Sequence, residues 1–242
     1  MFLSMEETEC VVVRVWLPDR PGALGAVASR IGAVRGDVIA IDVLERGGGR
    51  AVDELTVSMP AGSPLDLLVA EIGQVDGVDV EDIRPAGDAG TDRAVRAVRC
   101  ARILASQSDL DHVAQALCTE ALGLLGADWV AVLDAGVGEL VASAGSDPPP
   151  LSWLSAFIVG VASGAPTNAS TRPGVVDELA YCQLGTSDVS VVVSRAQLPL
   201  RAVERNLLDE LAGLADHRMG ELRPSLSAPS RANARWRDAT AE

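Results

Sequence analysis

The stretch "RVWLPDRPGALGAVASRIGAVRGDV", Arg14 to Val38, carries an apolar strand into Asp-Arg-Pro-Gly and then straight into a helical pattern. In "CVVVRVWL" (10–17) Val11, Val13, Val15 and Leu17 share one face, with Cys10, Val12, Arg14 and Trp16 on the other. Leu24, Val27, Ile31 and Val34 then recur at helical spacing, and Gly36 suits a left-handed C-terminal cap. A helix that follows a strand so directly aims its first backbone N–H groups at whatever lies beyond the sheet. Those amides have no partner inside the helix, and the helix dipole adds partial positive charge there. Pro21 presets φ for a first helical turn, and Gly22 lets a ligand approach the backbone. Asp19 is placed to accept from a ligand ammonium. The pattern suits a small molecule with an anionic and a cationic end, and an α-amino acid is such a molecule.

Outward from this stretch, "DVIAIDVLE" and "AVDELTVSM" read as strands joined through "RGGGR". "GSPLDLLVAEIG" reads as a helix with Ser63 as N-cap, Pro64 in the first turn, Asp66 completing a capping box and Gly73 closing it. "VDVEDIR" is a fourth strand. The order βαββαβ with short hairpins predicts an α+β domain of ferredoxin-like arrangement, its helices on one face of an antiparallel sheet. The other face would carry Val12 and Trp16 bare, inviting a second copy of the chain.

"AGDAGTD" (86–92) reads as a linker, followed by a helix striped with Arg93, Arg96, Arg99 and Arg102 and read as a solvated face. From Asp109 a second domain is expected. "DLDHVAQALCTEALGLLG" is an amphipathic helix with Val113, Leu117, Ala121, Leu124 and Leu125 inward. Strands follow at "DWVAVLD" and "GELVASAG", then an apolar helix "LSWLSAFIVGVASG", a loop "APTNASTRPG", and strands "VDELAYCQLG" and "SDVSVVVSRA". The closing helix, 198–219, places Leu200, Val203, Leu207, Leu211 and Leu214 on one stripe. The tail 220–242 is Pro/Ser/Arg-rich and is expected to be disordered.

Composition narrows the function. The 242-residue chain is 48% hydrophobic, enough for two packed cores. Its net charge of -14 and 3% aromatics argue against nucleic acid as a partner. All 20 basic residues are arginine, which removes Schiff-base and phosphate-loop lysine chemistry. By association, this lysine-free composition points to a GC-rich bacterial genome. Cys10, Cys100, Cys118 and Cys182 form no C-x-x-C pair and read as reduced thiols of a cytoplasmic protein. His112 and His217 lack metal-ligand spacing and read as solvated helix positions. Trp129 and Trp153 read as core packing, and Asp42 and Asp53 are placed on facing strands. No nucleophile elbow, dinucleotide loop, membrane span or basic signal region is found, so no enzyme, cofactor or membrane association is expected.

"PDRPGALGAVASRIG…GDVIAIDV", with "LLVAEIGQVDGVDVEDI" after it, resembles an ACT domain over residues 8–86. That resemblance implies an amino-acid-binding regulatory module that pairs with a second copy. It implies contacts from Asp19, Arg20, Gly22, Ala23 and Leu24 of one chain, and from the start of the partner's second strand, here Asp37, Val38 and Ile39. Many members carry asparagine near Asp37, and this chain departs from the pattern there. Residues 109–219 more loosely resemble a GAF domain, on element order and on the closing helix "LPLRAVERNLLDELAGLADHR". GAF modules hold small ligands or build dimer interfaces, and the span is short for that family. The expectation is a non-catalytic, homodimeric sensor with an ACT module, a linker helix at 87–108 and a GAF-like module. The alternative is a ligand-free module for dimerisation or for docking onto an enzyme or regulator.

Overall fold

The computed structural model describes residues 7–86, 92–134, 136–164, 178–185 and 189–227. They form a mixed α/β protein with two antiparallel four-stranded sheets and six helices. The chain divides into two units. One takes the described residues within Met1–Arg99, Pro173–Ala180 and Arg195–Leu208; the other takes those within Cys100–Arg172, Tyr181–Ser194 and Asp209–Glu242.

The first unit runs β1 (Thr8–Pro18), α1 (Ala23–Ala33), β2 (Asp37–Gly47), β3 (Arg50–Pro60), α2 (Leu65–Ile72) and β4 (Asp79–Pro85), with sheet order β2-β3-β1-β4. Alternation along β1 and β3 builds the core. Val11, Val13, Val15 and Leu17 join Ala51, Leu55, Val57 and Met59 on the face covered by Ala23, Val27 and Ile31 of α1 and Leu68 and Ile72 of α2. Each such side chain taken out of water contributes roughly 1.5–3 kcal/mol before entropy is charged against it. β2 is an edge strand. Its register against β3 shifts between Val38 and Ala40 and again between Val43 and Glu45, and it leaves Ile39, Ile41 and Val43 exposed. Asp42 and Asp53 do not face each other. Asp42 is level with Glu54, and Asp53 is level with Val43, on the opposite face.

The opposite sheet face is not bare, contrary to expectation. Val12 and Val52 are buried, and Arg14 is fully buried in an ion cluster with Glu204 of the same unit. A charged side chain in the middle of a valine strand finds its counter-charge within the chain, so this face does not call for a second copy.

The helix ends differ from the caps expected of them. Pro21 lies in a turn, α1 begins at Ala23, and Gly22 is its N-cap. The N-cap of α2 is Pro64, not Ser63, whose hydroxyl donates instead to the Pro60 carbonyl at 2.5 Å. Gly73 ends α2 in a right-handed conformation. Past α1 it is Arg35, at φ 65°, that turns left-handed, and not Gly36. Gly36 is required for space: a Cβ there would stand 2.7 Å from Ile31 Cγ2, 3.0 Å from Val57 Cγ1 and 3.1 Å from the Ile31 carbonyl oxygen. Gly36→Ala is therefore expected to cost about 1–3 kcal/mol by overpacking, read as a lowered denaturant midpoint at unchanged m-value. A wild-type midpoint would overturn this account of Gly36.

α3 (Arg93–Ala105) follows. Arg93 is not on a solvated face: it pairs with Asp42 at 3.1 Å and with Glu54 at 2.6 Å. The second unit contains α4 (Leu110–Leu125), β5 (Trp129–Asp134), β6 (Glu139–Gly145), α5 (Leu151–Gly164) and β8 (Val189–Ser194), with sheet order β6-β5-β8-β7. Edge strand β7 (Leu179–Gln183) and the last helix, α6 (Ala202–Ser227), each run through the division between the units. The Asp109 side chain caps α4 by accepting from the His112 N–H at 2.9 Å. The expected inward positions of α4 are all buried, as is Trp129, whereas Trp153 is 44% exposed and stacks on Phe157 at 5.6 Å. His112 and His217 are solvated, as read from sequence. α6 starts at Ala202 rather than 198 and runs to Ser227, into the expected tail. Its buried stripe is Glu204, Leu208, Leu211, Ala212, Ala215 and Met219, with Val203 37% exposed. The glutamate takes an inward place that the hydrophobic pattern assigned to valine. The tail beyond Ser227 and the loop containing Asn168 lie outside the described residues. Among the described residues no helix is long and apolar enough to cross a membrane.

Candidate functional site

Gly22, at φ 88°, sets the geometry of the β1–α1 junction. That backbone conformation suits glycine, and an added Cβ would meet open space. The turn is fixed from both sides. The Asp19 N–H donates to the Gly49 carbonyl at 3.0 Å, the Arg20 N–H to Pro18 at 2.8 Å, and the Ala23 N–H to Arg20 at 3.3 Å. No side chain caps α1, and no acidic residue lies in its first turn. The helix start thus keeps its partial positive charge without an internal anion. Asp19, Arg20 and Gly22 are exposed, Leu24 is half-buried, and Ala23 is buried in the core. With its N–H donated to Arg20 and its side chain in the core, Ala23 is committed to the fold.

The second predicted group lies elsewhere on the sheet. Asp37 is level with Ser58 of β3, and Ser58 is level with Cys10 near the start of β1. Asp19 sits beside Gly49, at the other end of β3. Asp37, Val38 and Ile39 of one chain are therefore separated from Asp19 by most of a strand length. The fold does not bring the two groups together within one molecule, and a site containing both needs two molecules. Asp37 and Ile39 are exposed and Val38 half-buried, so this end of β2 is open to such a contact.

The sheet face that α1 and α2 cover also carries a buried acid. Asp53 stands on β3 level with Val15, on the face α1 covers, between Ala51 and Leu55 of the core. It is 3% exposed, and its Oδ1 is buried without a hydrogen-bond partner. Burial raises its pKa above the ordinary aspartate value; Arg46 pulls it down and Asp19 pushes it up. The signal in the sequence was an acid at an inward position of "AVDELTVSM", where alternation calls for an apolar residue.

On the other sheet face the first unit holds an ion cluster. Arg14 donates from Nε (3.1 Å) and Nη2 (2.8 Å) to Glu54, from Nη2 to Glu204 (3.0 Å), and from Nη1 to the Pro199 carbonyl (2.9 Å). Glu54 also accepts from Arg84 at 2.5 Å and Arg93 at 2.6 Å, and Glu204 from Arg195 at 2.7 and 2.9 Å. Burial alone would raise Glu54, but Arg14, Arg84 and Arg93 outweigh it and bring the carboxyl down to about 2. Glu204 is lowered in the same way against its burial, by Arg195 and Arg14. Trp16 donates to Glu81 at 3.0 Å and lies under Arg201, 4.7 Å from the ring centre. Every acid here is already paired with an arginine, so the cluster serves structure. Among the described residues all four cysteines are free thiols, and burial pushes Cys118 and Cys182 up to about 12. A neutral buried thiol is a poor nucleophile.

No family model and no curated protein matches this chain. Among solved structures it is similar to the GAF domain of a phosphoenolpyruvate-protein phosphotransferase from Coxiella burnetii, at 12% identity and a TM-score of 0.40, over 56% of this chain and 97% of that one. It is similar to the GAF domain of a putative sensor histidine kinase from Pseudomonas syringae pv. tomato, at 14% identity and 0.36, over 58% and 94%. It is also similar to the chromophore-binding domain of an unusual bacteriophytochrome from R. palustris, at 11% and 0.42, over 76% and 70%. All three likenesses are distant.

Proposed function

We propose that this chain is a non-catalytic regulatory sensor that binds an amino acid at the start of α1, in a site completed by a second copy. The observation that carries the reading is the uncapped helix start at Gly22, with open space over its backbone and Asp19 beside it. A ligand carboxylate accepts from first-turn amides beyond Ala23, whose N–H is held by Arg20, and the Asp19 side chain receives the ammonium. The ACT-like sequence pattern around these residues supports the same reading, and so does the strand order β2-β3-β1-β4. A partner's Asp37, Val38 and Ile39 would close the site, and the exposed Ile39, Ile41 and Val43 of edge strand β2 give that partner an apolar contact. Binding across two chains favours one arrangement of the pair, and that shift of population is the signal passed on.

A ligand that binds only the folded pair raises its melting temperature by mass action. In a thermal-shift panel of the twenty standard amino acids at millimolar concentration, at least one is expected to raise the melting temperature of the full chain. Gly22→Glu, which fills the open space and places a negative charge at the helix start, is expected to abolish that response while the circular dichroism stays native. A flat panel would sink the sensor reading. The exposed apolar row on β2 favours the second reading, a module that pairs or docks without a ligand. A flat panel together with a dimer in sedimentation velocity would decide for it.

A further inference from the structure

We propose that Asp53 is a proton-operated latch on edge strand β2: the neutral carboxyl lets the strand lie closed on β3, and the charged carboxylate drives it to open locally. The proposal does not depend on the amino-acid reading. It concerns the strand that carries Asp37, Val38 and Ile39.

Strand register sets Asp53 level with Val15 of β1 on one side and Val43 of β2 on the other, on the face that α1 and α2 cover. The acid is 3% exposed, and its Oδ1 is buried without a hydrogen-bond partner. A carboxylate so placed forfeits hydration without recompense. Its neighbour Glu54, on the other face, is held by Arg14, Arg84 and Arg93. The charged form of Asp53 therefore gains by reaching water, and its two flanks offer unequal routes. Toward β1, Val15 is fully buried, and Val80 of β4, level with it, packs on the same core. Toward β2, Val43 is already 37% exposed and Ile41 46%, and β2 is the edge of the described sheet. The register of β2 on β3 shifts between Val43 and Glu45, so the ladder is interrupted beside the acid. An edge strand with a break in its ladder is the least costly element to lift.

The charges around Asp53 act in both directions. Arg46, further along β2, draws the carboxyl toward its charged form, and Asp19, past the end of β1, drives it toward the neutral one. On the helices that cover this face, Arg30 of α1 and Glu71 of α2 pair with each other at 3.3 Å. Burial outweighs Arg46, and the pKa of Asp53 stands above the ordinary aspartate value. For an acid raised on folding, the stability of the neutral form is present below the ordinary value and is lost as pH rises through the folded one. Asp53 and Glu54, adjacent on β3, thus respond to acid in opposite senses.

The test is amide hydrogen exchange of the full-length protein and of Asp53→Asn, which keeps the shape and removes the charge. The two are compared at each pH from about 8 to about 4, so that intrinsic exchange and the response of Glu54 cancel. At about pH 8 the amides of β2 are expected to exchange about tenfold faster in wild type than in the variant, with those of β1 alike in both. The gap is expected to close as the pH falls to about 4. Asp53→Leu, which fills the inward place as Leu55 does, carries the same comparison should Asp53→Asn fail to fold. Exchange of β2 in wild type no faster than in the variant at about pH 8 overturns the latch. So does a gap that persists unchanged at about pH 4, or one spread evenly over β1 and β2.

Discussion

Replacing Arg14 by methionine is expected to destabilise the protein by about 3 kcal/mol, lowering its melting temperature by roughly 6–12 °C. Arg14 is fully buried and spends its donors on Glu54, Glu204 and the Pro199 carbonyl. Methionine matches its length and apolar stem but leaves two glutamates short of a cation in a place without water. Glu54 keeps Arg84 and Arg93, and Glu204 keeps Arg195, so the loss comes from the part of their buried charge that only Arg14 balanced. Arg50→Met is the control. Arg50 pairs with Asp79 at 2.6 Å, but the two side chains are 42% and 70% exposed, and the expected loss is under about 1 kcal/mol. Equal losses for the two variants, read from urea unfolding, would refute the assignment of stability to the cluster.

Acid is expected to undo the same cluster. Glu54 has a folded-state pKa of about 2 against an ordinary 4.5. A group depressed on folding contributes stability above its unfolded value, and that stability is lost as pH falls through the folded one. The contribution is present in full above about pH 5 and disappears between pH 4.5 and about 2, amounting to about 3 kcal/mol. Glu204 shifts in the same direction and adds to the slope. Glu54→Gln should flatten the fall in stability across this window and lower stability at pH 7. Parallel wild-type and variant curves between pH 5 and 2 would contradict it.

What was legible in the sequence was local. Alternation in 10–17 and helical spacing from Leu24 onward located β1 and α1, because side-chain direction repeats with backbone period. Element order along 10–84 followed from turn residues between the runs. What escaped were features settled by residues far apart in the chain. Arg14 was visible as a charge inside a valine strand, but its partner Glu204 lies 190 residues away. The same distance explains the misplaced stripe of α6, since a glutamate held by two arginines packs inward as a leucine would. In the proposed site, the course of Asp19–Leu24 from strand into helix was legible because its atoms are contiguous. The burial of Asp53 was not, because only strand register and packing put that acid on the covered face of the sheet.

The absence of lysine shapes how the Arg14 cluster meets alkali. Guanidinium groups hold their proton well past pH 12. With only arginine on the cationic side, the cluster's coupling to protons enters through its glutamates, Glu54 and Glu204. Acidification, by protonating Glu54 and Glu204, would loosen the grip of β1 on residues 199–204.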